Sequence, residues 1–265
     1  MEVESNRETI PIKVKSPGAV VLRRYAEMFK GKKFGKILDL MEIEIQPEAI
    51  SALAQFYDLL MRSFLFQNFQ MAPTLEEYEC ILGRPQTGGL PYLYQGNWSS
   101  PERIAKLLRV SEMEILKKKQ QCSGVEGIPL LYLEERMHIL AESGSWDTLA
   151  DTLELAVYAI ILLPHLNDYI DLAAIDVFIV VKERGLNPTV AVLANTYYSL
   201  QCCYDSRGRL VCCLPALYIW IISYTFVSKR PTVCPIEDHK WCLVPNKNES
   251  EWASCFASLI DKDIR

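Results

Sequence analysis

The longest apolar stretch of the chain runs from residue 153 to residue 181, with the sequence LELAVYAIILLPHLNDYIDLAAIDVFIVV. Its first half repeats apolar residues at helical spacing on one side, and further apolar residues fill the opposite side. A helix that is apolar nearly all round belongs in the middle of a core. Pro164 cannot continue it, so Asn167 or Asp168 is expected to cap a second helix that ends at Gly185. The stretch therefore predicts a central pair of buried helices.

A second apolar segment, Leu210 to Val227, contains no charged residue. It follows a helical pattern from Pro188 to Leu200 and the polar turn DSRG at 205–208. Two apolar helices joined by a short turn are expected to form an antiparallel hairpin. The alternative is insertion of the segment into a membrane. Spanning a bilayer usually takes about 20 residues, and this segment contains Pro215, so the pattern favours a buried helix and no membrane contact.

The remaining patterns are also helical. Pro47 precedes apolar residues at helical spacing from Ile50 to Phe64, and Thr74 with Glu77 forms a capping-box pattern. Residues 37–45 fit either a short strand or a loop. Half of the residues are hydrophobic and 23% are charged, which is typical of a globular chain. We therefore predict an all-α fold: a loose segment at 1–16, then a single multi-helix globular domain at 17–265 with a central buried helix pair and an apolar helical hairpin.

Three blocks of the sequence carry a family resemblance. NFQMAPTLEEYECILGRP (68–85) contains an aromatic, a Pro-Thr, two acids, a Tyr and a Leu-Gly in order, and the apolar blocks at 153–181 and 187–226 follow it. This arrangement resembles a plant domain of unknown function found in retroelement-derived and uncharacterised plant proteins, similar to the plant mobile domain. The resemblance covers roughly residues 50 to 265. It is specific because several separate blocks occur in the family's order.

The resemblance implies an all-helical domain of transposable-element ancestry, whose relatives are linked to nuclear silencing and chromatin. It supplies no catalytic residue. Plant mobile domain relatives are sometimes labelled aminotransferase-like, but pyridoxal phosphate chemistry requires a Schiff-base lysine and a phosphate cup. Neither is recognisable in this sequence, so we expect no cofactor.

A short basic run, KGKKFGK at 30–36, interrupts the helical patterns. Its two glycines indicate a loop. Lys30, Lys32, Lys33 and Lys36 could contact nucleic-acid phosphates or act as a nuclear-import patch, whereas the simpler interpretation is a solvated loop. The net charge of −5 does not favour nucleic acid over the molecule as a whole, so any such contact would be local.

The turn-rich segment RPQTGGLPYLYQGNW at 84–98 is the candidate partner-binding surface. It carries Tyr92, Tyr94 and Trp98 among glycines and prolines. Gly88 and Gly89 lack the further glycines and the Lys-Ser/Thr ending of a phosphate-binding loop. Loops that carry several aromatic side chains often bind partners, so a protein partner is expected here.

The cysteines favour a reducing compartment. Nine cysteines occur without regular spacing, and the polar N-terminus has no apolar signal segment, so we expect a nuclear or cytoplasmic location and not secretion. Two clusters are candidate zinc sites: the cysteine pairs 202–203 and 212–213, and the run CPIEDHKWC at 234–242. The first lacks a C-x2-C knuckle and the second lacks a fourth ligand, so no metal is predicted.

Two functional hypotheses remain. The first is a non-enzymatic interaction domain of transposable-element origin, nuclear or chromatin-associated. The alternative is a metal-dependent nucleic-acid enzyme that descends from a mobile element, with Asp168, Asp171 and Asp176 as its acids. That alternative requires the three carboxylates to converge in one cleft.

The last segment, NESEWASCFASLIDKDIR, predicts a docked helix. Trp252, Phe256, Leu259 and Ile260 form a helical stripe, and each large side chain stabilises the fold by about 2 kcal/mol when it is buried. Members of the resembled family continue beyond this block. We therefore expect a shortened copy with an exposed apolar patch near this helix, and a dependence on a partner for stability.

Overall fold

The computed structural model describes residues 12–14, 20–29, 35–83, 90–122, 124–165, 169–205, 209–232 and 234–263. Its α-helices are α1 (Val20–Met28), α2 (Pro47–Ala54), α3 (Leu75–Ile81), α4 (Pro101–Leu108), α5 (Glu112–Lys118), α6 (Leu130–Glu142), α7 (Trp146–Val157), α8 (Leu172–Arg184), α9 (Thr189–Asp205), α10 (Leu214–Thr225), α11 (Pro235–Lys240) and α12 (Glu249–Ala257). Short 3-10 helices lie at Gly35–Glu42 and Asp261–Asp263, and a π-helical turn lies at Tyr158–Leu162.

Short strands accompany the helices, so the predicted all-α class is only approximate. The strands are β1 (Lys13–Val14), β2 (Tyr57–Asp58), β3 (Ser63–Leu65), β4 (Gln70–Met71), β5 (Gln120–Cys122), β6 (Val125–Pro129), β7 (Tyr169–Asp171) and β8 (Arg209–Leu210). They form a parallel pair β1-β8 and two antiparallel sheets with the orders β2-β3-β4 and β5-β6-β7. The protein is therefore mostly helical, with small sheets at the ends of helices.

The predicted central helix pair is present as α7 and α8. Helix α7 continues into the π-helical turn, and its apolar side chains from Leu149 to Leu162 are buried except at Ala150 and Ile160, which are partly buried. Helix α8 ends at Gly185, as predicted, where the backbone adopts a φ of 65° that favours glycine. Its N-terminal cap is Asp171, whose Oδ1 accepts from the N–H of Ala173 at 2.8 Å. The predicted caps Asn167 and Asp168 lie outside the described residues.

Both helices of the predicted apolar hairpin are present, as α9 and α10. Helix α10 is buried along most of its length, from Leu214 to Ile222. Both α9 and α10 pack against α3. The chain between α9 and α10 includes β8, which pairs in parallel with β1 near the N-terminus. The segment between α9 and α10 therefore also contacts the N-terminal strand β1.

The helix predicted from Pro47 to Phe64 is wrong beyond Ala54, where α2 ends. The chain then forms the β2-β3-β4 meander. Oδ1 of Asp58 accepts from the N–H groups of Leu60 and Met61 at 2.9 and 2.8 Å, and this local hydrogen bonding competes with a helix. The left-handed backbone of Arg62, with a φ of 51°, then reverses the chain.

The C-terminal helix α12 docks on α2, and this confirms the predicted stripe. Trp252 and Phe256 are fully buried, and Leu259 is nearly so. Nε1 of Trp252 donates to Oε1 of Gln46 at 3.0 Å, so the indole is satisfied as well as buried. Within the part of the chain that is described, the buried apolar side chains form one continuous cluster from Ile12 to Leu259.

Candidate functional site

Residues 90–100 lead directly into α4, and we refer to them as the platform loop. Its first residues are fixed to the segment after α8. The N–H of Tyr92 donates to the carbonyl of Asn187 at 2.8 Å, and the N–H of Asn187 donates to the carbonyl of Leu90 at 2.9 Å. Asn187 is held in turn by Glu79, whose Oε1 accepts from Nδ2 at 2.6 Å. The entry of the loop is therefore hydrogen-bonded to two helical regions.

A buried carboxylate fixes both ends of the platform loop. Asp176, in the middle of α8, is 5% exposed. Its Oδ2 accepts from the hydroxyl of Tyr92 at 2.7 Å, and its Oδ1 accepts from the hydroxyl of Ser99 at 2.6 Å. Hydrogen bonds to a buried carboxylate are stronger than neutral ones, and breaking them leaves unsatisfied polar groups. We refer to Asp176, Tyr92 and Ser99 as the loop clamp.

The surroundings of the Tyr92 phenol in the loop clamp favour its protonated form. Burial raises the pKa of Tyr92 well above its usual range, and the neighbouring Asp176 carboxylate raises it further. The phenol therefore remains a donor at neutral pH. This arrangement suits attachment rather than proton transfer, because a general acid works best with a pKa near the operating pH.

Arg103 extends the loop clamp to the surface. Its Nη1 donates to Oγ of Ser99 at 3.1 Å, and its Nη2 lies 2.7 Å from Oε2 of Glu183. Ser99 thus accepts from Arg103 while it donates to Asp176. A chain of hydrogen bonds runs from Glu183 on α8, through Arg103 on α4, back to Asp176. The start of α4 and the end of the platform loop are therefore tied to the same helix.

Large apolar side chains project from the platform loop into solvent. Leu90 is 72% exposed, Leu93 58%, Tyr94 48% and Trp98 43%. The rings of Tyr94 and Trp98 lie against each other, with centroids 4.2 Å apart. Of the three residues predicted to bind a partner, Tyr94 and Trp98 lie on this surface. Tyr92 does not, because it is 6% exposed and serves as an internal anchor.

A pocket of about 540 Å³ opens beside the exposed apolar side chains. Its volume lies within the range of ligand pockets, which is about 300–1,000 Å³. Leu90 and Leu93 of the loop form one wall, and Val180 and Leu186 of the α8 region form another. The polar side chains that line it include Gln95, Asn97, Arg103, Asp176 and Arg184.

The acids of the alternative hypothesis have separate structural roles. Asp171 caps α8, and Asp176 belongs to the loop clamp. Asp168 lies outside the described residues.

Of the acids around α3, Glu77 completes a capping box with Thr74 and accepts from the hydroxyl of Tyr224. Glu79 is 5% exposed, and its Oε1 accepts from Nδ2 of Asn187.

The cysteine clusters contain buried, protonated thiols. Burial raises the pKa of Cys213 to about 12, and burial also holds the pKa of Cys212 well above its usual range. Buried thiols of this kind act as small apolar groups. Cys234 is buried at the start of α11, and Cys242 approaches the carbonyl of Phe226. No group of three or more His, Cys, Asp or Glu side chains within the described ranges is arranged to hold a metal ion.

The basic run falls largely outside the part of the chain that is described. Lys30, Lys32 and Lys33 precede residue 35, and Lys36 lies in the 3-10 helix without a described side chain. The apolar segment Leu210 to Val227 is described throughout, and its inner part forms α10. Across the described helices, none combines the length and apolar character needed to cross a membrane.

Comparison with known proteins places the chain in a family. A family model described as a domain of unknown function (DUF7745) matches residues 19–265. The chain belongs to this family. No curated protein and no solved structure matches the chain. The DUF7745 match spans the platform loop, the loop clamp and the pocket, and it attaches no activity to them.

The sequence-based prediction of this site in a DUF7745 member found the aromatic loop but missed its attachments. Asp176, Ser99, Arg103, Asn187 and Arg184 were not predicted to act with it. One signal was available. Asp176 is an acid within an almost entirely apolar helix, and an ionised carboxylate that is forced into a core requires hydrogen-bond donors. The sequence did not indicate that these donors come from residues 92 and 99.

Proposed function

We propose that the chain is a non-enzymatic protein-interaction domain and that the platform loop is its partner-binding surface. The observation that carries this proposal is the set of exposed apolar side chains held in place by the loop clamp. Aromatic residues are enriched at protein interfaces, and a few large side chains usually supply most of the binding energy. Tyr94 and Trp98, which lie ring against ring, are the expected anchors.

The hydrogen bonds that fix the platform loop support its role as a binding surface. A flexible loop loses conformational entropy when it binds, and a loop that is already held in its binding conformation loses less. The platform loop is fixed at its start by Asn187 and at both ends by Asp176. The exposed side chains between these points are therefore presented in a defined arrangement at low entropic cost.

The non-enzymatic part of the proposal rests on the acids. Both carboxylate oxygens of Asp176 accept hydrogen bonds from hydroxyl groups, and Asp171 is engaged at a helix end. A two-metal nucleic-acid enzyme needs carboxylates that converge on cations about 4 Å apart. Two of the three acids considered for that chemistry support the fold instead.

We further propose transposable-element ancestry and a nuclear or chromatin-associated role, from the resemblance of residues 68–85 and 187–226 to the plant mobile domain. In this proposal, the partner that the platform loop binds is a nuclear protein. Nucleic-acid contact through Lys30, Lys32, Lys33 and Lys36 remains a prediction. The net charge of −5 makes protein the favoured partner.

Photo-crosslinking at single positions tests this proposal. A photoreactive phenylalanine analogue is placed at Leu93 on the platform loop or at Leu131 on α6, which have similar exposure at 58% and 63%. Each variant is irradiated in nuclear and in cytosolic plant extracts. We expect a discrete protein adduct at position 93 in the nuclear extract, and its loss when Tyr94 and Trp98 are both changed to Ser. Equal adducts at positions 93 and 131, or an adduct that survives the double change, would contradict the proposal.

A further inference from the structure

The pocket beside the platform loop is lined by a guanidinium group that has no ionic partner among the described side chains. Arg184 lies in the last turn of α8 and lines the pocket. The other two charged side chains of the lining are engaged: Arg103 with Ser99 and Glu183, and Asp176 with Tyr92 and Ser99. Among the side chains that the structure describes, none forms an ion pair with Arg184. Its charge is therefore available to a ligand.

A second free donor accompanies Arg184. Asn97, which is exposed, lines the same pocket, so its side-chain amide can donate to a ligand there. Guanidinium groups bind carboxylates through two parallel N–H bonds, and an amide can donate a third. Glu183 neutralises Arg103, so among the described lining residues Arg184 is the cation that is available to an anion.

The walls of the pocket determine what else the ligand carries. Leu90, Leu93, Val180 and Leu186 give it an apolar surface. Leu90 and Leu93 belong also to the exposed surface of the platform loop, so a group in the pocket continues directly onto Tyr94 and Trp98. A free acid of the pocket's own size would leave that surface uncovered. A peptide segment covers both, because an acidic side chain can enter the pocket while its apolar neighbours lie on the loop.

We propose that the pocket binds an acidic side chain, Asp or Glu, of the partner protein, flanked by apolar residues, and that Arg184 is the residue that holds its carboxylate. This inference rests on the proposed function of the platform loop and specifies the chemistry of the partner. Arg184 sets the preference for an anion, Asn97 adds a hydrogen bond, and the leucines select apolar neighbours. The loop clamp fixes the position of the platform loop relative to α8, and so fixes the two walls of the pocket relative to each other.

Titration of the intact chain, followed by NMR of its amide groups, tests this assignment. The probes are the peptide acetyl-Leu-Leu-Glu-Leu-amide, its Gln counterpart, and hexanoate as a free acid of similar polarity. The proteins are the wild type, Arg184→Gln, and Lys182→Gln as a matched control. Lys182 lies two residues away on α8 and pairs with Asp151 instead of facing the pocket. Thermal melting checks that both variants remain folded.

We expect the Glu peptide to shift the side-chain amide of Asn97 and to bind wild type at least tenfold more tightly than the Gln peptide. Arg184→Gln should abolish that difference, and Lys182→Gln should preserve it. Equal binding of the two peptides, or a difference that survives in Arg184→Gln, overturns the role of Arg184. If hexanoate binds as tightly as the Glu peptide, the pocket takes a free acid and the peptide assignment is wrong.

The two proposals fail separately. If Arg184→Gln still forms the crosslink at position 93 at the wild-type level, the acidic-side-chain inference is overturned and the platform loop remains the partner-binding surface. If the Tyr94 and Trp98 double variant retains the crosslink, the platform loop itself is excluded, whatever the peptides show.

Discussion

The hydroxyl of Tyr92 donates to Oδ2 of Asp176 across 84 positions of sequence, at a distance of 2.7 Å. This contact decides which face of the loop is presented to solvent. Because Tyr92 points inward, its neighbours Leu93 and Tyr94 are left on the surface. A long-range contact between a loop and a core helix therefore creates the exposed apolar surface, and local turn preferences alone do not.

The first prediction concerns the buried carboxylate of the loop clamp. Asp176→Ala removes the acceptor of two hydroxyl groups that are themselves nearly inaccessible to water. We expect a loss of about 3 kcal/mol in the free energy of unfolding, because buried donors are left unsatisfied. Urea denaturation measures the loss. Hydrogen exchange should also accelerate at the amides of residues 90–100.

Asp151→Ala is the matched control for that prediction. Asp151 pairs with Lys182 on the surface, where both side chains are about one-third exposed. Exposed ion pairs contribute less than about 1 kcal/mol, so this variant should lose little stability and keep the exchange rates of residues 90–100. Similar losses in Asp176→Ala and Asp151→Ala would show that the loop clamp does not support the fold.

The second prediction concerns the docked C-terminal helix. Trp252→Ala is expected to lower the free energy of unfolding by about 3–5 kcal/mol, because a fully buried indole leaves a cavity and Oε1 of Gln46 loses one of its two donors. Ser254→Ala, on the exposed side of α12, should change it by less than about 0.5 kcal/mol. Deletion of residues 249–265 should raise dye binding and aggregation. Unchanged stability and solubility would mean that α12 does not dock.

The third prediction is a pH dependence that arises from His239. Burial lowers the pKa of this imidazole below its ordinary value of 6.5. As the pH falls, His239 of the unfolded chain is therefore protonated at a higher pH than His239 of the folded chain. The contribution of the neutral imidazole to stability is fully present above pH 6.5, and it is lost as the pH falls from that value toward the folded pKa. His239→Gln should flatten the dependence of the unfolding free energy between about pH 5 and 7. A slope identical to that of the wild type would contradict this assignment.

Several features of the fold could be predicted because their causes are local. The apolar run at 149–162 can only be a core helix, and Gly185 supplies the left-handed residue that ends α8. Thr74 and Glu77 form the predicted capping box. Ser111 and Glu114 have the same spacing, but there only the Ser111 hydroxyl caps the helix, because Oε1 of Glu114 accepts from the hydroxyl of Tyr132.

Other features depended on contacts that no local pattern records. Residues 57–65 keep the apolar spacing of a helix, but the turn at Asp58 and the aromatic contacts of Tyr57 with Phe64 make them a hairpin. The site shows the same limit. Aromatic content located the platform loop, whereas the division between the inward Tyr92 and the outward Tyr94 and Trp98 follows from Asp176 on a distant helix.

The most direct test of the platform loop as the binding surface compares two exposed tryptophans. Trp98 on the loop is 43% exposed, and Trp146 at the start of α7 is 50% exposed. The dissociation constant of the crosslinked partner is measured for the wild type, Trp98→Ser and Trp146→Ser by titration calorimetry. We expect Trp98→Ser to weaken binding at least tenfold, or about 1.4 kcal/mol, and Trp146→Ser to leave it within about twofold. Unchanged affinity in Trp98→Ser, or an equal loss in Trp146→Ser, would contradict the account.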